Sequence, residues 1–146
     1  MSSGTFYYGT IIDKPLQEVW DFFQSTDNLA AITTFPKITV KGSEKSEEGA
    51  EIELQMNFYA ATLSWKSKIS EVSEPNYFID EGTAVPFPFK KWRHVHAFKT
   101  EPDGRTKMID MVQFDASVPS AAVKLMLYGM FSDRKRKLNS LLGATE

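Results

Sequence analysis

Hydrophobic and polar residues recur along this chain with two different periods, and the switches between them divide it into three stretches. Thr5 to Ile12 is β-branched and aromatic, which predicts an opening strand. Leu16, Val19, Trp20 and Phe23 then fall at i, i+3, i+4 and i+7, the apolar stripe of a short helix ending near Gln24. Asp13 offers an N-cap oxygen to that helix and Pro15 suits its first turn. Ser25-Thr26-Asp27 can cap a second short helix carrying Leu29, Ala30 and Ile32, which Phe35-Pro36 ends.

From Lys37 to Phe114 the period becomes two. Ile38 and Val40, then Ile52, Leu54, Met56 and Phe58, then Leu63, Trp65 and Ile69 alternate with polar residues. This is the pattern of antiparallel strands with one packed and one wet face. Tyr77–Thr83, Lys91–Thr100 and Arg105–Phe114 continue the sheet, and the run from Lys41 to Gly49 reads as a charged turn. After Pro119 the helical period returns: Val123, Leu127, Phe131, Leu138 and Leu141 form one stripe, flanked by Met126 and Met130. Arg134 to Lys137 place cations towards the helix's far end. The predicted architecture is α+β: one strand, two short helices, about six more strands and a long C-terminal helix packed on the sheet, all in one domain over residues 1–146.

One strand carries most of the chemistry. Trp92, His94, His96 and Phe98 share a parity, while Arg93 and Lys99 on the other parity favour water, so the Trp-His-His-Phe set faces inward. A three-residue loop with Gly104 in the left-handed position pairs Glu101 with Arg105. That register sets Phe98 opposite Met108, His96 opposite Asp110, His94 opposite Val112 and Trp92 opposite Phe114. A two-residue loop would instead send Asp110 to the wet face. The first register thus expects a carboxylate and an imidazole side by side on an apolar wall. They would serve as a pocket's polar anchor, as an acid–base pair, or as a structural pair that fixes register.

Composition narrows the function classes. With 17 basic and 19 acidic residues the net charge is −2, which argues against a nucleic-acid surface. The absence of cysteine excludes disulfides, thiolate chemistry and cysteine metal sites. No apolar run approaches the roughly 20 residues of a membrane span, no secretory pattern is present, and the expected location is cytoplasmic.

The ordered motifs resemble a known family. Pro15-x-x-x-Val19-Trp20-x-Phe22-Phe23 followed by Asp27-Asn28-Leu29 is similar to the START-related superfamily, also called SRPBCC, which includes the birch pollen allergen, lipid-transfer domains and aromatic polyketide cyclases. Four later motifs resemble a bacterial subfamily described as polyketide cyclase/dehydrase-like or cell-division-inhibitor-like. They are Phe78-x-Asp80, Trp92-x-His94-x-His96-x-Phe98, Thr106-x-Met108-x-Asp110-x-Val112 and Phe131-x-x-Arg134-x-x-x-Leu138. The resemblance implies a helix-grip fold, a curved sheet around the C-terminal helix, with a deep cavity for a hydrophobic small molecule or lipid. The subfamily's Gly-Pro-Phe turn is replaced by the longer Gly82-Thr83-Ala84-Val85-Pro86-Phe87-Pro88-Phe89, a stiff apolar flap that alters the cavity mouth.

Four readings follow. As a carrier or sensor, the chain would line its cavity with Met56, Phe58, Trp65, Phe87, Trp92, Phe98, Met108, Phe114, Leu127 and Phe131. Met126 and Met130 would add to that lining, and His94, His96, Asp110 and Tyr128 would be its polar interruptions. The same residues also fit a filled core. As a cyclase, dehydratase or hydrolase, it would use His96 oriented by Asp110, with His94 nearby. A metal is not expected, because His94 and His96 have only Asp110 as an obvious third ligand, and no cofactor motif is present. As an interaction protein, it would use the methionine flanks or the Pro-Phe flap in a homodimer.

Overall fold

The period-two stretch folds as one antiparallel sheet, and the first strand returns to lie beside the last long one. The computed structural model describes residues 2–33, 36–142 and the backbone of 144–145. In chain order the elements are β1 (Ser2–Ile12), α1 (Leu16–Phe23), α2 (Thr26–Ala31), β2 (Lys37–Gly42), β3 (Glu51–Asn57), β4 (Thr62–Ser73), β5 (Tyr77–Ala84), β6 (Phe89–Thr100), β7 (Thr106–Ala116), α3 (Ser120–Leu142) and the two-residue β8 (Ala144–Thr145). The sheet order is β2-β3-β4-β5-β6-β7-β1-β8. Seven long strands, two short helices after β1 and a long C-terminal helix match the expected architecture.

The β6–β7 hairpin forms in the predicted register. Phe98 lies opposite Met108, His96 opposite Asp110, His94 opposite Val112 and Trp92 opposite Phe114. The Glu101 N–H donates to the Arg105 carbonyl at 2.7 Å, and Gly104 sits at φ +87°, a conformation open to glycine at little cost.

Both short helices start differently from expectation. Neither Asp13 nor Ser25 caps with its side chain; Pro15 and Ser25 occupy the N-cap positions without a side-chain bond. The reason at α1 is a tight turn, in which the Lys14 N–H donates back to Ile12 O at 2.8 Å and leaves Asp13 exposed. At α2 the partner is the charged loop. Thr26 donates its N–H to Glu44 O and its hydroxyl to Ser43 O, and the Ser46 N–H donates to Gln24 O. The Lys41–Gly49 segment is therefore docked at the α1–α2 junction, with Ser46 buried. The predicted Phe35-Pro36 stop falls partly outside the described residues, since Phe35 is not among them.

Trp20 of α1 sits edge-on to Phe78 and Phe98, at 5.8 and 5.7 Å between ring centroids, and closes one end of the fold. Along α3 the buried positions are Val123, Leu127, Phe131, Arg134, Leu138 and Leu142. Leu142, one turn beyond Leu138, continues the stripe; Leu141, predicted to do so, is exposed. Arg134, expected as one of the cations towards the helix's far end, lies on the buried face among apolar residues.

α3 lies over β1, with Tyr8 packed on Phe131 and edge-on to Tyr128. This placement divides the inner face of the sheet. Under α3 it is closed, with Phe6, Ile12, Trp92, Phe98, Met108, Val112 and Phe114 all buried. On β2, β3 and β4 the inner face is closed where Ile52, Ser67 and Ile69 lie, with Ile52 and Ile69 in the Trp20 cluster, whereas Ile38, Val40, Leu54, Met56 and Trp65 are only half-buried and Leu63 is exposed. The α3 flank turned away from β1 carries Met126 and Met130, also exposed.

Replacing Phe131 by Ala should cost about 3–5 kcal/mol in a urea titration, because the ring sits in the closed half. Leu141→Ala should stay within about 0.5 kcal/mol of the parent.

Candidate functional site

Two apolar clusters fill the closed half, one around Trp20, Phe78 and Met108 and the other around Trp92, Phe114 and Phe131. Between them runs a buried polar belt. Asp80 comes from β5, His94 and His96 from β6, Asp110 from β7 and Arg134 from α3. Strand parity brings the first four to the inner face, and helical spacing brings Arg134 down on them.

The hydrogen-bond partners are crossed relative to the sequence expectation. His96 lies opposite Asp110 in register, but its Nε2 meets Asp80 Oδ2 at 2.6 Å. His94, opposite Asp80 on β5, sends its Nε2 to Asp110 Oδ1 at 2.8 Å. The expected His96–Asp110 pair is therefore corrected: the two lie 3.8 Å apart at their nearest polar atoms, beyond hydrogen-bond reach. Diagonal neighbours in a sheet lie within reach of long side chains. Leaning diagonally lets the two imidazoles stack at 3.7 Å, with Phe78 stacked on His96 at 4.2 Å and Phe131 edge-on to His94 at 5.7 Å.

Asp110 is fully buried, and its other oxygen accepts from Arg134 at 2.8 Å. Burial alone would push this carboxyl up, but the guanidinium and the His94 hydrogen bond outweigh it and hold it well below the usual range. Asp80 follows the same logic: burial raises it, and the His96 hydrogen bond, the two imidazoles and a bond from the Trp92 indole bring it below its ordinary value. His96 moves down to about 4, first through burial and then through its proximity to His94. It is neutral at neutral pH, so Nε2–H donates to Asp80. Its Nδ1 is buried without a hydrogen-bond partner among the described residues.

The other expected lining residues separate by place. Trp92, Phe98, Met108, Phe114, Leu127 and Phe131 are buried in the closed half, and Met56, Phe58 and Trp65 are half-buried towards the open one. Tyr128 is exposed and packs on Tyr8, so it does not line the interior. Phe87 is 74% exposed at the tip of the β5–β6 loop. It borders a hollow of about 380 Å³ that Gly82, Val85, Phe89 and Ser117 also line. A Cβ on Gly82 would lie 2.6 Å from Val85 Cγ1, so this glycine lets the flap fold close.

Sequence reasoning did not assign site roles to Asp80 and Arg134, and both left signals. Asp80 shares a parity with Phe78 on a strand whose inner face is apolar. Arg134 follows Phe131 by three and precedes Leu138 by four, which puts a cation on the apolar stripe.

Acid should weaken the fold in two steps. His96 has a lower pKa folded than unfolded, so its contribution is complete above about pH 6.5 and is lost as pH falls towards about 4. The depressed aspartates contribute above their ordinary 3.8, and that part is lost at lower pH. Urea midpoints measured from pH 8 to 3 should show both steps, and His96→Gln should lack the upper one. Arg134→Met should cost about 3–5 kcal/mol at pH 7, because it strands a buried carboxylate.

No family model matches the chain, and no curated protein matches it in sequence. Solved structures match it in shape. Major latex-like protein 151 from Panax ginseng is 10% identical with a TM-score of 0.74, covering 96% of this chain and 97% of that one. Ara h 8.0201 is 17% identical with a TM-score of 0.70, covering 95% and 99%. Protein Ms6760 from Mycobacterium smegmatis is 16% identical with a TM-score of 0.71, covering 97% and 92%. At these identities the likeness is one of fold, and the fold is the helix grip: a curved antiparallel sheet held against a long C-terminal helix.

Proposed function

We propose that this protein binds an apolar small molecule or lipid in the open half of the grip, as a carrier or sensor. The observation that carries this reading is the set of half-buried apolar residues on the inner face of β2–β4, Leu54, Met56 and Trp65 among them, together with the exposed Met126 and Met130 of α3. Methionines and aromatics make an adaptable lining, and large half-exposed apolar surfaces facing inward mark binding grooves. The side chain of Asp80 is 14% exposed and stands on β5, where the closed and open halves meet, so it would receive a ligand's polar end. The motifs from Phe78 to Leu138 support placing the chain with the polyketide cyclase-like subfamily.

The geometry gives less support to acid–base catalysis. A general base needs a nitrogen within reach of substrate. The Nε2 atoms of both histidines are engaged by carboxylates, and the free nitrogen of His96 is buried.

Native mass spectrometry of the purified protein, followed by denaturing extraction, should reveal a bound apolar molecule. A long-chain fatty acid added to stripped protein should quench Trp65 fluorescence. Met56→Lys and Met130→Lys should each weaken that binding at least tenfold while leaving the urea midpoint near the parent's. Protein that carries nothing and binds no fatty acid or similar apolar probe would overturn the proposal.

A further inference from the structure

The polar belt holds more donor atoms than a structural pair requires, and their arrangement points to a second kind of ligand. Asp80, His94 and His96 each offer one ligand atom, and the three atoms lie within 4.8 Å of one another. Asp80 Oδ2 is 2.6 Å from His96 Nε2 and 3.8 Å from His94 Nδ1. Metal–ligand bonds of about 2.0–2.2 Å in a tetrahedral site separate neighbouring ligand atoms by about 3.3–3.6 Å, a range these two distances bracket. The carboxylate that completes the set is Asp80, brought in by β5, rather than Asp110.

We propose that Asp80, His94 and His96 form a binding site for a first-row divalent cation of the zinc class, with one coordination position left open. Three independent features support it. First, the far nitrogen of His94 donates to Asp110 Oδ1, and Arg134 holds Asp110 Oδ2. This carboxylate–histidine arrangement fixes the tautomer that leaves the His94 Nδ1 lone pair free, 3.8 Å from Asp80 Oδ2, as outer partners of metal ligands do. Second, His96 keeps a buried Nδ1 without a partner among the described residues. A cation on Nε2 moves the ring proton to Nδ1, which then stands 3.8 Å from the Asp110 carboxylate. Third, two carboxylates against one guanidinium leave the belt with one negative charge when both imidazoles are neutral. A divalent cation reverses that to one positive charge, which a hydroxide or a ligand carboxylate at the open position would balance. The partial exposure of Asp80 supplies the way in. The site shares Asp80 with the proposed polar end of the apolar site, but it does not rest on that reading, since its tests need no apolar ligand.

Three measurements on chelator-stripped wild-type protein test this without any variant. Titration with Zn²⁺ by calorimetry should give one ion per chain. Co²⁺ should bind at the same stoichiometry with visible d–d absorption, and Zn²⁺ should displace it. In ¹⁵N spectra of the imidazoles, Zn²⁺ should shift His94 Nδ1 and His96 Nε2. Asp80→Asn should lose at least tenfold in Zn²⁺ affinity, and Asp110→Asn about 10–100-fold. Arg93→Gln, on the outer face, should bind as the parent does. Wild-type protein with no stoichiometric Co²⁺ spectrum and unmoved imidazole signals would overturn the site. So would a folded Asp80→Asn protein of unchanged affinity. If Asp80→Asn does not fold, the wild-type cobalt and ¹⁵N spectra decide the question alone.

Discussion

Asp110 is a fully buried carboxylate in the middle of an apolar sheet, and much of the interior is arranged around the cost of keeping it there. An unpaired charge at that depth would cost several kcal/mol. Arg134 meets one oxygen and His94 the other. Each partner must be buried in turn, so the requirement spreads. Arg134 lies 4.5 Å above the Phe131 ring, and His94 is wedged between Phe131, Trp92 and the stacked His96. His96 then needs its own acceptor and finds it on the next strand, in Asp80. One carboxylate on β7 thereby links β5, β6 and α3. It fixes both the rotation of α3 about its axis and the height at which the helix crosses the sheet.

Such a network is weak support for stability in itself, since apolar residues of similar volume could fill the space. Its contribution is specificity. A rotation of α3 by one residue would carry Arg134 away from Asp110. A register slip of one residue between β6 and β7 would move either the histidines or Asp110 to the outer face. Both errors strand a buried charge, so the belt discriminates against alternative packings that the apolar clusters alone would tolerate.

How much of this was legible follows from the reach of each rule. Period and parity act between neighbours in sequence or across one hairpin. They sufficed for the sheet, for the long helix, for the inward face of His94 and His96, and for the β6–β7 register through the Glu101–Arg105 loop. The crossing of partners was not legible, because it depends on β5, whose register to β6 no short turn specifies. Without Asp80 in view, His96 had no acceptor other than Asp110. The caps failed for a related reason: Asp13 and Ser25 have suitable side chains, but a tight turn at Lys14 and the docked loop at Ser43–Ser46 take over the local hydrogen bonding. Arg134 was the subtlest case. Its spacing placed it on the apolar stripe, while its charge argued for solvent, and only the buried carboxylate across from it decides between the two.

The same belt explains why the grip is closed on one side only. α3 cannot sit centrally over the sheet, because Arg134 must reach Asp110 on β7, and β7 lies next to β1 towards one edge. Anchored there, the helix packs on the β1, β6 and β7 side and leaves Ile38, Val40, Leu54, Met56 and Trp65 of β2–β4 half-buried, while Ile52 and Ile69 are covered in the Trp20 cluster. The half-exposed Leu54, Met56 and Trp65 are thus a geometric consequence of where the charge is buried. A sheet of this width and one helix cannot bury all of the inner face, and electrostatics selects which half stays open. Asp80, on β5, stands at the border of the two halves. Its side chain belongs to the buried network and keeps 14% of its surface exposed, so the polar chemistry of the closed half reaches the border of the open half at one side chain.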